Sequence, residues 1–166
     1  MLRNAPRSSV SPDSLSRYYL EILTPDTKLT PHVTVSEYAC RCGCGLGTHP
    51  KDIEWDILHR FEEIRHISGD YPFLLSGCRC KKHNAEIKPP GSPNSAHLRC
   101  SALDTKPLNG WGALLEATGI TRDRFVEICE EIIGDGGVGR DLYGKFGLVH
   151  IDRDPELMAS NPGRRW

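Results

Sequence analysis

A chain of 166 residues has room for one domain with a real core, and its apolar (38%) and charged (26%) shares are those of an ordinary folded protein. A formal charge of −1 argues against a general binder of nucleic acid or anionic membrane, whose basic excess shows in composition. No stretch approaches the ~20 apolar residues of a membrane span and the start lacks an apolar signal-peptide core, so the expectation is a chain made in the cytoplasm without a membrane partner.

Residues 1–16, rich in Ser, Pro, Asn and Arg, read as a flexible arm, with one domain over 17–166. Thr30 to Ser36 alternates like a brief strand, and His32 within it reads as a surface residue. Cys40-Arg-Cys-Gly-Cys-Gly follows, a glycine-rich knuckle whose tight turns can bring neighbouring thiolates to one ion. Cys80 and His83 supply a second pair, giving Cys42, Cys44, Cys80 and His83 as a structural zinc site; reduced cysteines packing as small hydrophobes is the equal alternative. Seven cysteines without an export signal favour thiols or metal ligands over a complete disulfide framework.

Ile53, Ile57, Phe61 and Ile64 form the apolar stripe of a helix that should stop at Ser68-Gly69, with His59 and His66 solvated or capping. Tyr71 to Ser76 reads as a buried strand that delivers Arg79 to its end. A short helix over Lys82–Ile87 and a turn-rich loop over Lys88–Ser95 precede a strand at Ala102–Thr105. Thr121 predicts the N-cap of a helix that buries Phe125, Ile128, Cys129, Ile132 and Ile133 and stops at Gly134. Gly134 to Gly139 reads as turns feeding a strand, Phe146–Asp152, that carries His150. The tail Asn161–Trp166 is either a disordered end or a segment laying Trp166 beside a cleft.

His97 and Asp104 stand seven positions apart, and His150, an imidazole inside an apolar run, needs a polar partner to tolerate burial. Two His and one Asp make an open zinc site, with the fourth position left to water. Spacing alone favours a loop histidine, a turn carboxylate and a satisfied core histidine, because one His-x6-Asp is common. From Arg79 to Lys106, six cationic residues face two acidic ones, which suits an anionic group such as a peptide carboxylate or a solvated loop surface.

Four stretches in order, Val35–Gly45, Ser76–Asn84, Ser95–Asp104 and Gly137-Val-Gly through Leu148–Asp152, resemble the zinc D-alanyl-D-alanine peptidases. That group includes vancomycin-resistance dipeptidases, phage endolysins and murein peptidases, and shares its fold with the hedgehog signalling domain. The resemblance implies an α+β fold, a small antiparallel sheet with packed helices. It also implies zinc on His97, Asp104 and His150, Arg79 steadying the scissile carbonyl and its developing charge, and Ser95 hydrogen-bonding substrate.

The chain departs from the pattern at Cys78 and Cys100, where relatives often have tyrosine and glycine. It departs again at Gly147 and Leu148, where relatives place a carboxylate base or a further histidine. Asp152 is the substitute base, since residues i and i+2 of a strand share a face; a supporting role behind the metal is its rival, and Asp141 is the other base. The expected activity is cleavage of peptidoglycan stem peptides by a monomer, as carboxypeptidase or endopeptidase, acting on the bacterial wall after release in the manner of an endolysin. The rivals are a non-catalytic zinc-fold module that binds wall peptide or protein and a nucleic-acid-binding zinc knuckle.

Overall fold

The computed structural model describes residues 22–140 and 147–166; the arm over 1–16 and Asp141 lie outside the described residues. In chain order the elements are β1 (Lys28–Thr30), β2 (Val33–Thr34), α1 (Val35–Tyr38), α2 (Trp55–Ile67), β3 (Phe73–Ser76), α3 (Lys81–Glu86) and β4 (Ala102–Pro107). They continue with α4 (Trp111–Thr118), α5 (Arg122–Ile133), β5 (Gly137–Gly139), β6 (Val149–Asp152) and α6 (Pro155–Ser160). β1 and β2 pair as a hairpin, and the main sheet runs β3-β4-β6-β5 with every pairing antiparallel. This is the expected α+β architecture.

Alternation along the strands decides what each face of the sheet does. Phe73, Leu75, Leu103, Val138, Val149 and Ile151 point to one side and join the hydrophobic core. That core is closed by the stripe of α2 (Ile57, Phe61, Ile64) and by α5 (Phe125, Ile128, Cys129, Ile133), which pack against each other. Each such side chain, fully buried, contributes about 1.5–3 kcal/mol. The opposite face carries Asp104, His150 and Asp152, with glycines opposite them on β5.

Both predicted long helices form where their signals lie. Thr121 caps α5 by accepting from the Arg124 N–H, and Gly134 ends it. α2 ends at Ser68, but begins only at Trp55, because Pro50–Asp52 form a separate 3-10 turn. His59 and His66 are exposed on α2, and His32 pairs with Glu62 at 2.7 Å on the surface.

Several expectations are corrected. Thr30–Ser36 is not one strand: the chain turns at Pro31-His32, and a capping box between Thr34 and Glu37 starts α1 at Val35. β3 is not buried on both faces: Phe73 and Leu75 face the core, while Leu74, on the opposite face of this edge strand, is exposed. The guanidinium of Arg41 donates to Leu75 O on that edge.

Gly137–Gly139 is a strand rather than a turn, with glycine required by what lies over it. A Cβ at Gly137 would stand 2.2 Å from Asp152 Oδ2 and 2.9 Å from the Trp166 ring. The tail is ordered: Val138 bridges to Arg165 by donating its N–H to Arg164 O and accepting at its carbonyl from Trp166 N–H. Cys78 and Cys100 form a disulfide, so the cysteines are not all thiols, and Cys40, Cys42, Cys44, Cys80 and Cys129 remain free.

Candidate metal centre and substrate cleft

Strand register builds the centre. Asp104 is the cross-strand partner of His150, and Ser76 and Gly139 flank that pair on either side. His97 comes from outside the sheet, on a single 3-10 turn, Ala96–Arg99. Ser95 caps this turn by accepting from the His97 N–H, and Cys100, in the left-handed conformation and bonded to Cys78, ends it. The turn is pinned again where Tyr38 donates its hydroxyl to Cys100 O at 2.6 Å and accepts from the Glu54 N–H.

The three side chains meet in one place. His97 Nε2 is 3.1 Å from Asp104 Oδ1 and 3.2 Å from His150 Nδ1, and His150 Nδ1 is 2.9 Å from Asp104 Oδ1. A tetrahedral ion with ligand distances of about 2.0–2.1 Å sets its ligand atoms roughly 3.3 Å apart, so this triangle has the size of one face of a zinc tetrahedron.

The tautomers agree. His97 Nδ1 donates to Gly77 O at 2.6 Å, which leaves Nε2 as a lone pair aimed into the triangle. His150 Nε2 donates to Asp152 Oδ2 at 3.3 Å, which does the same for Nδ1. Two imidazole lone pairs and a carboxylate oxygen converging in a buried place call for a cation between them.

Electrostatics follow from this packing. Burial depresses the pKa of His97, with the Asp104 carboxylate working against it. Burial also opposes charge on His150, but hydrogen bonds to Asp104 and Asp152 outweigh it and raise the imidazole to about 9, so without an ion Nδ1 keeps a proton toward Asp104 that a bound metal would displace to free the lone pair. Asp104, although burial would raise it, is held well below the usual carboxylate range by His97 and His150. For Asp152, His150 and Arg164 likewise overcome burial and bring the carboxyl down to about 2.

Arg79 reaches the site from the loop after β3. It is buried and pairs through Nη2 with Asp104 Oδ2, the oxygen turned away from the triangle. Its Nε is buried and, among the described residues, has no hydrogen-bond partner. A cleft of about 250 Å³ opens over the triangle, lined by Arg79, Ser95, His97, Asp104, His150, Asp152 and Trp166 among others. A second groove of about 450 Å³ lies on the far side of Arg79 and Asp104, with Arg41, Lys88 and Lys106 in its walls.

Arg79, Ser95 and Asp152 are thus brought together around the triangle, while Asp141 lies outside the described residues; of the two readings of the tail, the one that lays Trp166 beside the cleft holds, and the Arg164 contact was not foreseen. Arg164 donates to Asp152 Oδ1 at 2.5 Å, and the Trp166 ring stands 5.6 Å from that of His150, so the tail walls the cleft. The cysteine knuckle is also assembled: Cys40, Cys42, Cys44 and Cys80 place their sulfurs within 4.8 Å of one another, so Cys40 takes the place expected of His83. Hydrogen bonding with Cys40 and Cys44 pushes the Cys42 thiol up to about 12, and the backbone N–H of His83 brings Cys80 down to about 7.

No helix among the described residues is long and apolar enough to cross a membrane. A search of curated proteins finds no match. The family model described as Peptidase M15 matches residues 31–152, which contain the triangle, Arg79, Asp152 and the cysteine knuckle. That match covers most of the chain: it belongs to the peptidase M15 family, the zinc D-alanyl-D-alanine peptidases.

Proposed function

We propose that the chain hydrolyses peptide bonds in peptidoglycan stem peptides, with His97, Asp104 and His150 holding the zinc. The observation that carries this reading is the lone-pair triangle at the floor of an open cleft, beside an arginine with a spare donor. Zinc bound there would acidify a water and polarise the scissile carbonyl.

The chain's own groups supply the rest. Arg79 fixes Asp104 through one nitrogen and offers the scissile carbonyl oxygen another, where an always-charged donor counters developing negative charge. Ser95, at the cleft edge, offers its hydroxyl to the peptide backbone. Arg41, Lys88 and Lys106 in the adjoining groove suit a substrate that carries carboxylates.

Asp152 lines the cleft, but its oxygens are engaged by His150, Arg164 and the Asp154 N–H, and its low pKa makes it a weak proton acceptor at neutral pH. We therefore give Asp152 the part of holding the His150 ring, and the proton acceptor passes to Asp141.

The test is digestion of purified murein by the zinc-loaded protein, with fragments from defined muropeptides identified by mass spectrometry. Release of cleaved stem peptides, lost on chelation and in His97→Ala, is the expected result. Murein binding without cleavage by a zinc-loaded chain would overturn it in favour of a binding module.

A further inference from the structure

The four clustered thiols lie outside the cleft, and the proposed reaction makes no use of them. Three come from one tight turn. Cys40 and Gly43 close it through Gly43 N–H to Cys40 O, Cys40 N–H bonds Leu46 O, and Gly43 and Gly45 take the positive φ values the turn requires. The fourth, Cys80, arrives as the N-cap of α3.

Cys42 Sγ lies 3.4 Å from Cys40 Sγ and 3.5 Å from Cys80 Sγ. A tetrahedral zinc with Zn–S of about 2.3 Å sets its sulfurs roughly 3.8 Å apart, so small outward movements of these side chains admit the ion. Cys78 and Cys100 are bonded to each other, whereas these four sit at non-bonded spacing.

Backbone donors face the sulfurs as well. Cys80 N–H points to Cys40 Sγ at 3.3 Å and His83 N–H to Cys80 Sγ at 3.4 Å, contacts that stabilise thiolates rather than thiols. His83 Nδ1 is 3.3 Å from Cys40 Sγ, within reach to donate to a bound sulfur.

We propose that Cys40, Cys42, Cys44 and Cys80 form a closed structural site for zinc, with His83 hydrogen-bonded to Cys40 rather than ligating. Four thiols bind one divalent ion and release their four protons to solvent; no electron transfer is involved. With four protein ligands no position remains for water, so the site is structural. It joins the turn at residues 40–44 to Cys80, the residue next to Arg79. Arg79 is then held between two sulfur anchors, the disulfide at Cys78 and the metal at Cys80.

This inference does not depend on the peptidase reading, and the test keeps the two apart. Protein purified with reductant, loaded with zinc and desalted is expected to carry two zincs per chain, and His97→Ala one. Cobalt loaded into His97→Ala is expected to show the intense near-ultraviolet thiolate-to-cobalt absorption, which the Cys42→Ser/Cys44→Ser variant of the same background lacks. The cobalt spectrum of His97→Ala needs no cysteine variant to fold. A His97→Ala protein with Cys40, Cys42, Cys44 and Cys80 all reduced, no zinc and no such absorption would overturn the proposal. So would recovery of these four cysteines as two disulfides in metal-free protein isolated without reductant.

Discussion

His150 and Asp152 stand two residues apart on one face of β6, and the imidazole gives Nε2 to the carboxylate while Nδ1 turns toward His97 and Asp104. A carboxylate behind a metal-binding imidazole fixes its ring and raises its basicity. Asp152→Asn should therefore lower zinc affinity by roughly 10–100-fold, with turnover recovering at saturating zinc. Competition with a chelator measures the first and kcat at saturating zinc the second. A kcat loss that persists at saturating zinc would return the proton-transfer role to Asp152.

Arg79→Lys is not a conservative change at a buried site that needs one nitrogen on Asp104 and another on substrate. It should reduce kcat by roughly 100–1,000-fold, the effect of losing one donor to a developing oxyanion. Zinc content should stay unchanged. Steady-state kinetics on a defined muropeptide alongside metal analysis checks both halves.

Gly137→Ala puts a methyl group 2.2 Å from Asp152 Oδ2, a carboxylate held in place by His150 and Arg164. It should cost about 1–3 kcal/mol of stability by overpacking. It should also weaken zinc binding, because Asp152 must move away from His150. Denaturant unfolding and chelator competition read these effects separately. Gly112, which meets nothing within 4 Å, is the control position for alanine.

Asp154 is fully buried, caps α6 by accepting from the Leu157 N–H, and pairs with Arg99 and Ser101. Burial favours its neutral form, but Arg99 and these hydrogen bonds prevail and lower its pKa. The folded pKa lies below the unfolded value of about 3.9, so the stabilisation is present above that pH and is lost as pH falls through the folded value. Thermal melts of metal-free protein should show wild type losing Tm below about pH 4, with a shallower fall in Asp154→Asn. Asp154→Ala should cost about 3 kcal/mol, the low end for a broken buried pair because Arg99 keeps some solvent contact.

What could be read from the chain tracks where each signal is local. α5 was legible because its cap, stripe and terminating glycine all lie within its own sequence, as were the stripe and end of α2. The triangle was legible only as three side chains of suitable chemistry; their meeting depends on the Asp104–His150 register, which no single stretch encodes. α4 was missed because glycines stand at both its ends and Leu114 is its one fully buried residue. The strand character of Gly137–Gly139 was hidden because its glycines answer to Asp152 and Trp166, residues met only in space. Pairing of Cys78 with Cys100 depends on the 3-10 turn folding back onto the end of β3, a contact between segments that are 22 positions apart.

Arg41, on the knuckle turn, lays a charged side chain over the outer margin of β3, where Leu74 is exposed and Leu75 O would otherwise face solvent. An uncovered strand margin with an apolar side chain is a template for another chain to pair with. The turn that gathers the thiols thus also guards the sheet against self-association. Whatever opens that turn exposes an adhesive rim, so unfolding there would be felt as aggregation before it is felt as loss of the core.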